Sequence, residues 1–165
     1  MPEFSYHKAT PAELERIWEK DIAANEGDER WVRWREEYIN YNRTGRAVTF
    51  VVTADGEPVG QGTLLISPEC GAVGGRLTLA DSISVGNINA LRIDREYRGD
   101  GHISKLVHRI EAHARTLRLS ALTIGVEADK VRNISIYFHW GFTEYVTWEP
   151  DDNIPVLYYR KELNP

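Results

Sequence analysis

Seven residues, Arg98-Gly99-Asp100-Gly101-His102-Ile103-Ser104, are of types and in an order that can hold an anion on main-chain amides. Glycine takes positive φ at low cost and lets a ligand approach the backbone closely. The first turn of a helix adds N–H groups with no internal partner and the positive end of the helix dipole. A phosphate or diphosphate is the natural guest of such a turn. The flanking residues supply the two elements it needs. Ile88-Asn89-Ala90-Leu91-Arg92-Ile93 has the make-up of a half-buried strand, closed by Asp94-Arg95-Glu96. Beyond the turn, Ile103, Leu106, Val107, Ile110, Ala114 and Leu117 recur at helical spacing and define one apolar face.

Other anion sites fit less well. Gly99-x-Gly101-x-x-Ser104 is only part of a dinucleotide fingerprint: the third glycine is absent, and Leu119 to Ala121 hold no acid to grip a ribose. No Gly-Lys-Ser/Thr follows, which argues against a nucleoside triphosphate loop. Cys70 is the only cysteine, so an internal disulfide and a Cys-based zinc site are excluded. Its Ser-Pro-Glu-Cys-Gly setting reads as a loop with nothing nearby to activate the thiol. His108 and His113 stand five apart on a helix and do not share a face, so no metal is expected.

The remaining elements follow from pattern. Thr10-Pro11-Ala12-Glu13 is a capping box with proline at the first helical position, and Leu14, Ile17, Trp18 and Ile22 form the face of that helix. A second helix is expected over Glu29 to Asn42, with Gly45 as its stop and Trp31, Trp34, Tyr38 and Tyr41 along one side. Such a stripe either packs on a sheet or walls a pocket, and different rings can do either. Ala47 to Ala54 and Val59 to Ile66 read as a hairpin around Asp55-Gly56-Glu57-Pro58. Residues 67–85 are rich in glycine and offer at most a short strand between loops. Ser120 to Glu127 is a buried strand, Val131 to Trp140 a short helix with Gly141 at its end, and Phe142 to Trp148 with Ile154 to Lys161 a closing hairpin. Strand, crossover helix and strand around the glycine turn imply a right-handed parallel pair.

At 165 residues the chain reads as one domain, 1–165. Its formal charge of −5 speaks against nucleic acid as a partner. The opening Met1 to Lys8 has no apolar core of a signal peptide, and no run approaches membrane-spanning length. A cytoplasmic protein without a membrane partner is expected.

Several of these residues together resemble the GNAT superfamily of acyl-CoA-dependent N-acyltransferases. Its cofactor motif, Arg/Gln-x-x-Gly-x-Gly/Ala between a strand and a helix, is matched by Arg98-Gly99-Asp100-Gly101-His102-Ile103, with Ile103 in the last, usually small, position. Leu91-Arg92-Ile93 resembles the family's strand end before it. Val126-Glu127-Ala128-Asp129 through Ile136-Tyr137, ending in Trp140-Gly141-Phe142, resembles a second signature, and the likeness runs over about Phe4 to Leu163. It implies a mixed α/β fold: a mainly antiparallel sheet with a central parallel strand pair, flanked by helices.

The same resemblance implies an N-acetyltransferase that moves acetyl from acetyl-CoA to a primary amine, here of a small molecule, by direct attack and without metal. Main-chain N–H groups of Gly99, Asp100, Gly101, His102, Ile103 and Ser104, with Arg98 at the approach, would hold the CoA diphosphate. The backbone at Leu91 and Ile93 would pair with pantetheine, and Asn133, one turn before Tyr137, would touch the cofactor arm. Tyr137 matches the tyrosine that protonates the departing thiolate. Glu127 is the candidate base, with Asp81 and Asn89 behind it. Trp31, Trp34, Asp28 and Glu29 fall where the family places its acceptor wall, and acids beside aromatics there suit a cationic amine. The alternative is a catalytically weak or inactive CoA-binding regulatory module of the same fold, which Ile103 and the acidic Asp100 keep open. A homodimer is open as well.

Overall fold

The computed structural model describes residues 1–151 and 153–164. Among them, seven strands and four α-helices follow in order: β1 (Phe4–Lys8), α1 (Pro11–Ala24), α2 (Arg30–Thr44), β2 (Ala47–Ala54), β3 (Glu57–Leu65), β4 (Val85–Ile93), α3 (His102–Thr116), β5 (Ala121–Glu127), α4 (Val131–His139), β6 (Glu144–Asp151) and β7 (Ile154–Glu162). The strands form one sheet in the order β1-β2-β3-β4-β5-β7-β6. β1 pairs with β2, β5 with β7 and β6 with β7 antiparallel, whereas β4 and β5 run parallel from Val85↔Ala121 to Ile88↔Ile124. This is the mixed α/β architecture, parallel pair included, that the motif order implies.

The chain divides into two compact units, residues 1–64 with 90–112 and residues 65–89 with 113–165. In the first unit the capping box of α1 is formed: the Glu13 N–H donates to Thr10 Oγ1 at 3.1 Å and the Thr10 N–H to Glu13 Oε1 at 3.0 Å. Leu14, Ile17 and Trp18 are buried beneath it, while Ile22, expected on the same face, is half-buried. Gly45 closes α2 at φ 76°, a left-handed conformation glycine adopts without the Cβ clash. The aromatic stripe of α2 splits: Tyr38 and Tyr41 are buried, Trp31 and Trp34 half-buried. β1 has no clear sequence signal, being five residues of mixed polarity, and owes its conformation to pairing Phe4↔Ala54 through Lys8↔Phe50.

In the second unit the segment before β4 holds no strand. It is a run of turns in which the Val73 N–H donates to Cys70 O at 2.9 Å and the Leu79 N–H to Arg76 O at 3.0 Å. Cys70 is fully buried there. The apolar face of α3, a helix whose residues up to Ala112 belong to the first unit, stops short of expectation. Leu106, Val107, Ile110 and Ala114 are buried, but Leu117 lies past the helix end and is exposed. Arg118 turns the chain at φ 61°, so Leu119 takes the buried place instead. Among the described residues no helix is long and apolar enough to cross a membrane.

Candidate functional site

In the first unit, Gly99 and Gly101 have φ of 88° and 82°, and a Cβ built on either would meet nothing within 4 Å. Glycine is therefore required here for its backbone angles, and the space beside the turn is open. The first backbone bond of α3 comes from Lys105, whose N–H donates to Gly101 O at 3.2 Å. The N–H groups ahead of it precede the helical ladder, as at any helix start. Asp100 is exposed, Ile103 and Ser104 are half-buried, and Arg98 Nε donates back to Ile93 O at 3.3 Å. The His102 side chain is buried among Phe4, Tyr6 and Tyr97, with Nδ1 2.6 Å from the Tyr6 hydroxyl. Through it β1 fixes the start of α3, a role the sequence did not suggest.

The strand before the turn carries a local irregularity. Its parallel ladder ends at Ile88↔Ile124, and Ala90, two residues on, has φ 53° in the middle of the strand. A non-glycine residue in that region costs about 1–3 kcal/mol, and such strain concentrates at functional sites. Beyond it the side chains alternate. Leu91 and Ile93 occupy the space left by two glycines of β3: a Cβ on Gly62 would lie 2.7 Å from Leu91 Cδ1 and 3.1 Å from Ile110 Cδ1, and one on Gly60 2.6 Å from Ile93 Cδ1. Arg92 and Gln61 point the other way, toward α1. Arg92 Nη2 donates to Asp21 Oδ2 at 2.6 Å, and Gln61 Nε2 donates to the same oxygen at 3.0 Å. The Arg92 guanidinium also lies over the rings of Trp18 and Trp31, at 4.9 and 5.0 Å. None of Asp21, Gln61 and Arg92 was anticipated, although a single charged residue in its strand and one glutamine between two glycines are the signals that could have found them.

The expected acceptor residues lie at the start of α2. Asp28 is bound by its neighbour: Arg30 Nε and Nη2 donate to its two oxygens at 3.0 and 2.8 Å. Those bonds hold its carboxyl down to about 2. The Arg30 guanidinium in turn lies 5.4 Å over the Trp34 ring. Asp28 Oδ1 also accepts the Arg30 N–H at 3.1 Å, just before α2, and Glu29 beside it is exposed. Trp31 and Trp34 meet edge to face at 5.1 Å.

In the second unit, Tyr137 is half-buried on α4 with its ring 5.5 Å from that of Trp140. Burial pushes its phenol above the usual range, and among the described residues its hydroxyl makes no hydrogen bond. Asn133 is one turn earlier and exposed, as is Glu127 at the end of β5. Asp81 is committed elsewhere. Burial raises its carboxyl, but N–H groups of Val85, Ser84 and Ile83 and the Ser84 hydroxyl outweigh that and hold it well below the usual carboxylate range. It is a poor base and a good turn lock. Asn89 is half-buried. Among the described residues no three His, Cys, Asp or Glu side chains gather where a metal ion could bind.

The acetyltransferase (GNAT) family model matches residues 12–142. No curated protein sequence matches the chain. Solved structures give the same fold at low identity. An N-acetyltransferase from Staphylococcus aureus Mu50 is 16% identical at a TM-score of 0.71, covering 98% of this chain and 99% of that one. The yncA putative acetyltransferase from Salmonella typhimurium, solved with its cofactor acetyl-CoA, is 16% identical at 0.71, covering 98% and 94%. An aminoglycoside 6'-N-acetyltransferase complexed with coenzyme A is 14% identical at 0.68, covering 98% of each chain. Because the family model spans most of its length, the chain belongs to the GNAT acetyltransferase family.

Proposed function

We propose that the protein is an N-acetyltransferase that moves acetyl from acetyl-CoA to a primary amine of a small molecule by direct attack, with Tyr137 as general acid. The turn at Gly99 and Gly101 supports the choice of cosubstrate: both glycines have positive φ at the start of α3, and the space beside them is open. N–H groups of Gly99 to Ser104 would hold the diphosphate. Beyond the ladder's end at Ile88, the main chain of Leu91 and Ile93 would take pantetheine as an added strand. Asn133 would steady that arm. Acetyl-CoA, when bound, supplies an activated acyl thioester.

The observation that carries the catalytic reading is the Tyr137 hydroxyl. It has no partner among the described residues, and burial keeps it protonated beyond the usual range. Such a group can give a proton to a sulfur as it leaves. Glu127, exposed at the end of β5, would take the amine proton, directly or through water. Trp31 and Trp34, with Asp28 and Glu29, would border the acceptor.

The test is thiol release from acetyl-CoA with a panel of primary amines, alongside thermal shift with CoA. Stabilisation by CoA together with release for at least one amine supports the proposal. Stabilisation without release for any amine assigns the inactive module instead.

A further inference from the structure

Arg92 is the one charged residue of β4, and the fold uses only part of it. The two indoles beside it lie 6.3 Å apart, well short of the sum of their distances to its guanidinium, so they do not sandwich it from opposite sides. Its pairing with Asp21 is also partial. Only Nη2 donates to that carboxylate, Nε is buried with no partner, and Nη1 makes no hydrogen bond among the described residues. An arginine whose sole task is to bind an acid uses its fork bidentately. Here Asp21 instead spends one oxygen on both Arg92 and Gln61. Nearly a third of the Arg92 side chain, 32%, remains open to solvent.

The geometry points to Arg92 as a specificity-determining residue that receives a carboxylate on the acceptor, so that the preferred substrates are amines bearing an acid group, of the amino-acid type. This rests on the acetyl-transfer reading above. The chemistry selects the ligand class. A second cation is repelled by the guanidinium. The remaining donors, Nη1 and the second hydrogen of Nη2, form a planar edge that a carboxylate matches with two parallel bonds. Asp21 holds the guanidinium in place through one of its oxygens. Recognition is therefore directional and should disfavour a phosphonate dianion, which would meet the Asp21 carboxylate. Trp31, half-buried beside the cation, offers an apolar surface suited to an amino acid with a hydrophobic side chain.

The experiment compares leucine, phenylalanine and methionine with their carboxamides and with the matching aminoalkylphosphonates. It reads kcat/KM from thiol release and binding from calorimetry in the presence of CoA. Wild type should favour the free acid over the amide by about tenfold to a hundredfold, the worth of hydrogen bonds to a charged group. Arg92→Gln should erase that preference while CoA binding, measured in parallel, stays unchanged. Arg92→Lys, which keeps the charge and can still reach Asp21, should lose most of it and guards against a variant that fails to fold. Thiol release with amides or simple amines as good as the acids overturns the inference and leaves acetyl transfer standing. Acid-selective binding that Arg92→Gln abolishes, with no thiol release from any acceptor, supports the inference while acetyl transfer fails. Tighter binding of the phosphonates, or acid preference that persists in both variants, overturns it.

Discussion

Tyr137→Phe removes one oxygen from a residue whose hydroxyl makes no hydrogen bond among the described residues. No protein partner is orphaned, and the ring keeps its 5.5 Å packing on Trp140, so stability should move by no more than about 0.5 kcal/mol. The rate should behave differently. A positioned general acid is worth about two to four decades, or roughly 3–5 kcal/mol of barrier. Burial raises the phenol, so the acid form is present throughout any neutral or mildly alkaline assay. Its loss of a proton would limit activity only beyond the usual tyrosine range. The variant should therefore be slow at every accessible pH, with CoA affinity and thermal midpoint at wild-type values. Stopped-time thiol release at saturating acetyl-CoA from pH 6.5 to 9, using whichever amine the panel selects, measures this. A variant that keeps kcat within a factor of about three at an unchanged midpoint would refute the assignment, since no general acid contributes so little.

Three further outcomes follow from geometry. Gly60→Ala should destabilise more than Gly62→Ala, by about 1–3 kcal/mol in denaturant melts: the new Cβ meets Arg92 O at 2.9 Å on Gly60, but only side-chain ends on Gly62. Gly101→Ala should cost about 1–2 kcal/mol through its φ of 82° alone, and should weaken CoA binding in calorimetry as the turn relaxes. Asp81 has a depressed carboxyl in the folded state, so its contribution is complete above the unfolded value near about pH 4 and is lost as pH falls toward the folded one. Asp81→Ala should accordingly lower the thermal midpoint at pH 7, and the gap to wild type should narrow only in acid.

Much of the fold was legible because the signals were local. The capping box of α1, the Asp-Gly turn between β2 and β3, and the helical period of α3 each state their element within a few residues. What was missed depends on partners distant in sequence. β1 exists through its pairing with β2, and Leu117 lost its place to Leu119 through a backbone turn at Arg118 rather than through any break in hydrophobic period. The glycine turn was readable as a motif, but Ala90 was not, since nothing about alanine announces a positive φ. Asp28 and Asp81 looked like free acids until their neighbours were visible: Arg30 in one case, three successive N–H groups in the other. Arg92 was passed over as part of a strand pattern, because the pattern records polarity and not where a side chain is aimed.

The bond between Tyr6 and His102 joins residues 96 positions apart. Strand, turn and helix around the glycines are contiguous and can form from local interactions, whereas this last clasp needs a long loop to close, a slower kind of event. Order in time should therefore separate from order in space. During refolding, helical signal should return first, and competence to bind CoA should lag behind it until the first strand has docked. Tyr6→Phe, which leaves the strand pairing intact, would shorten the life of the competent turn more than it lowers the stability of the chain.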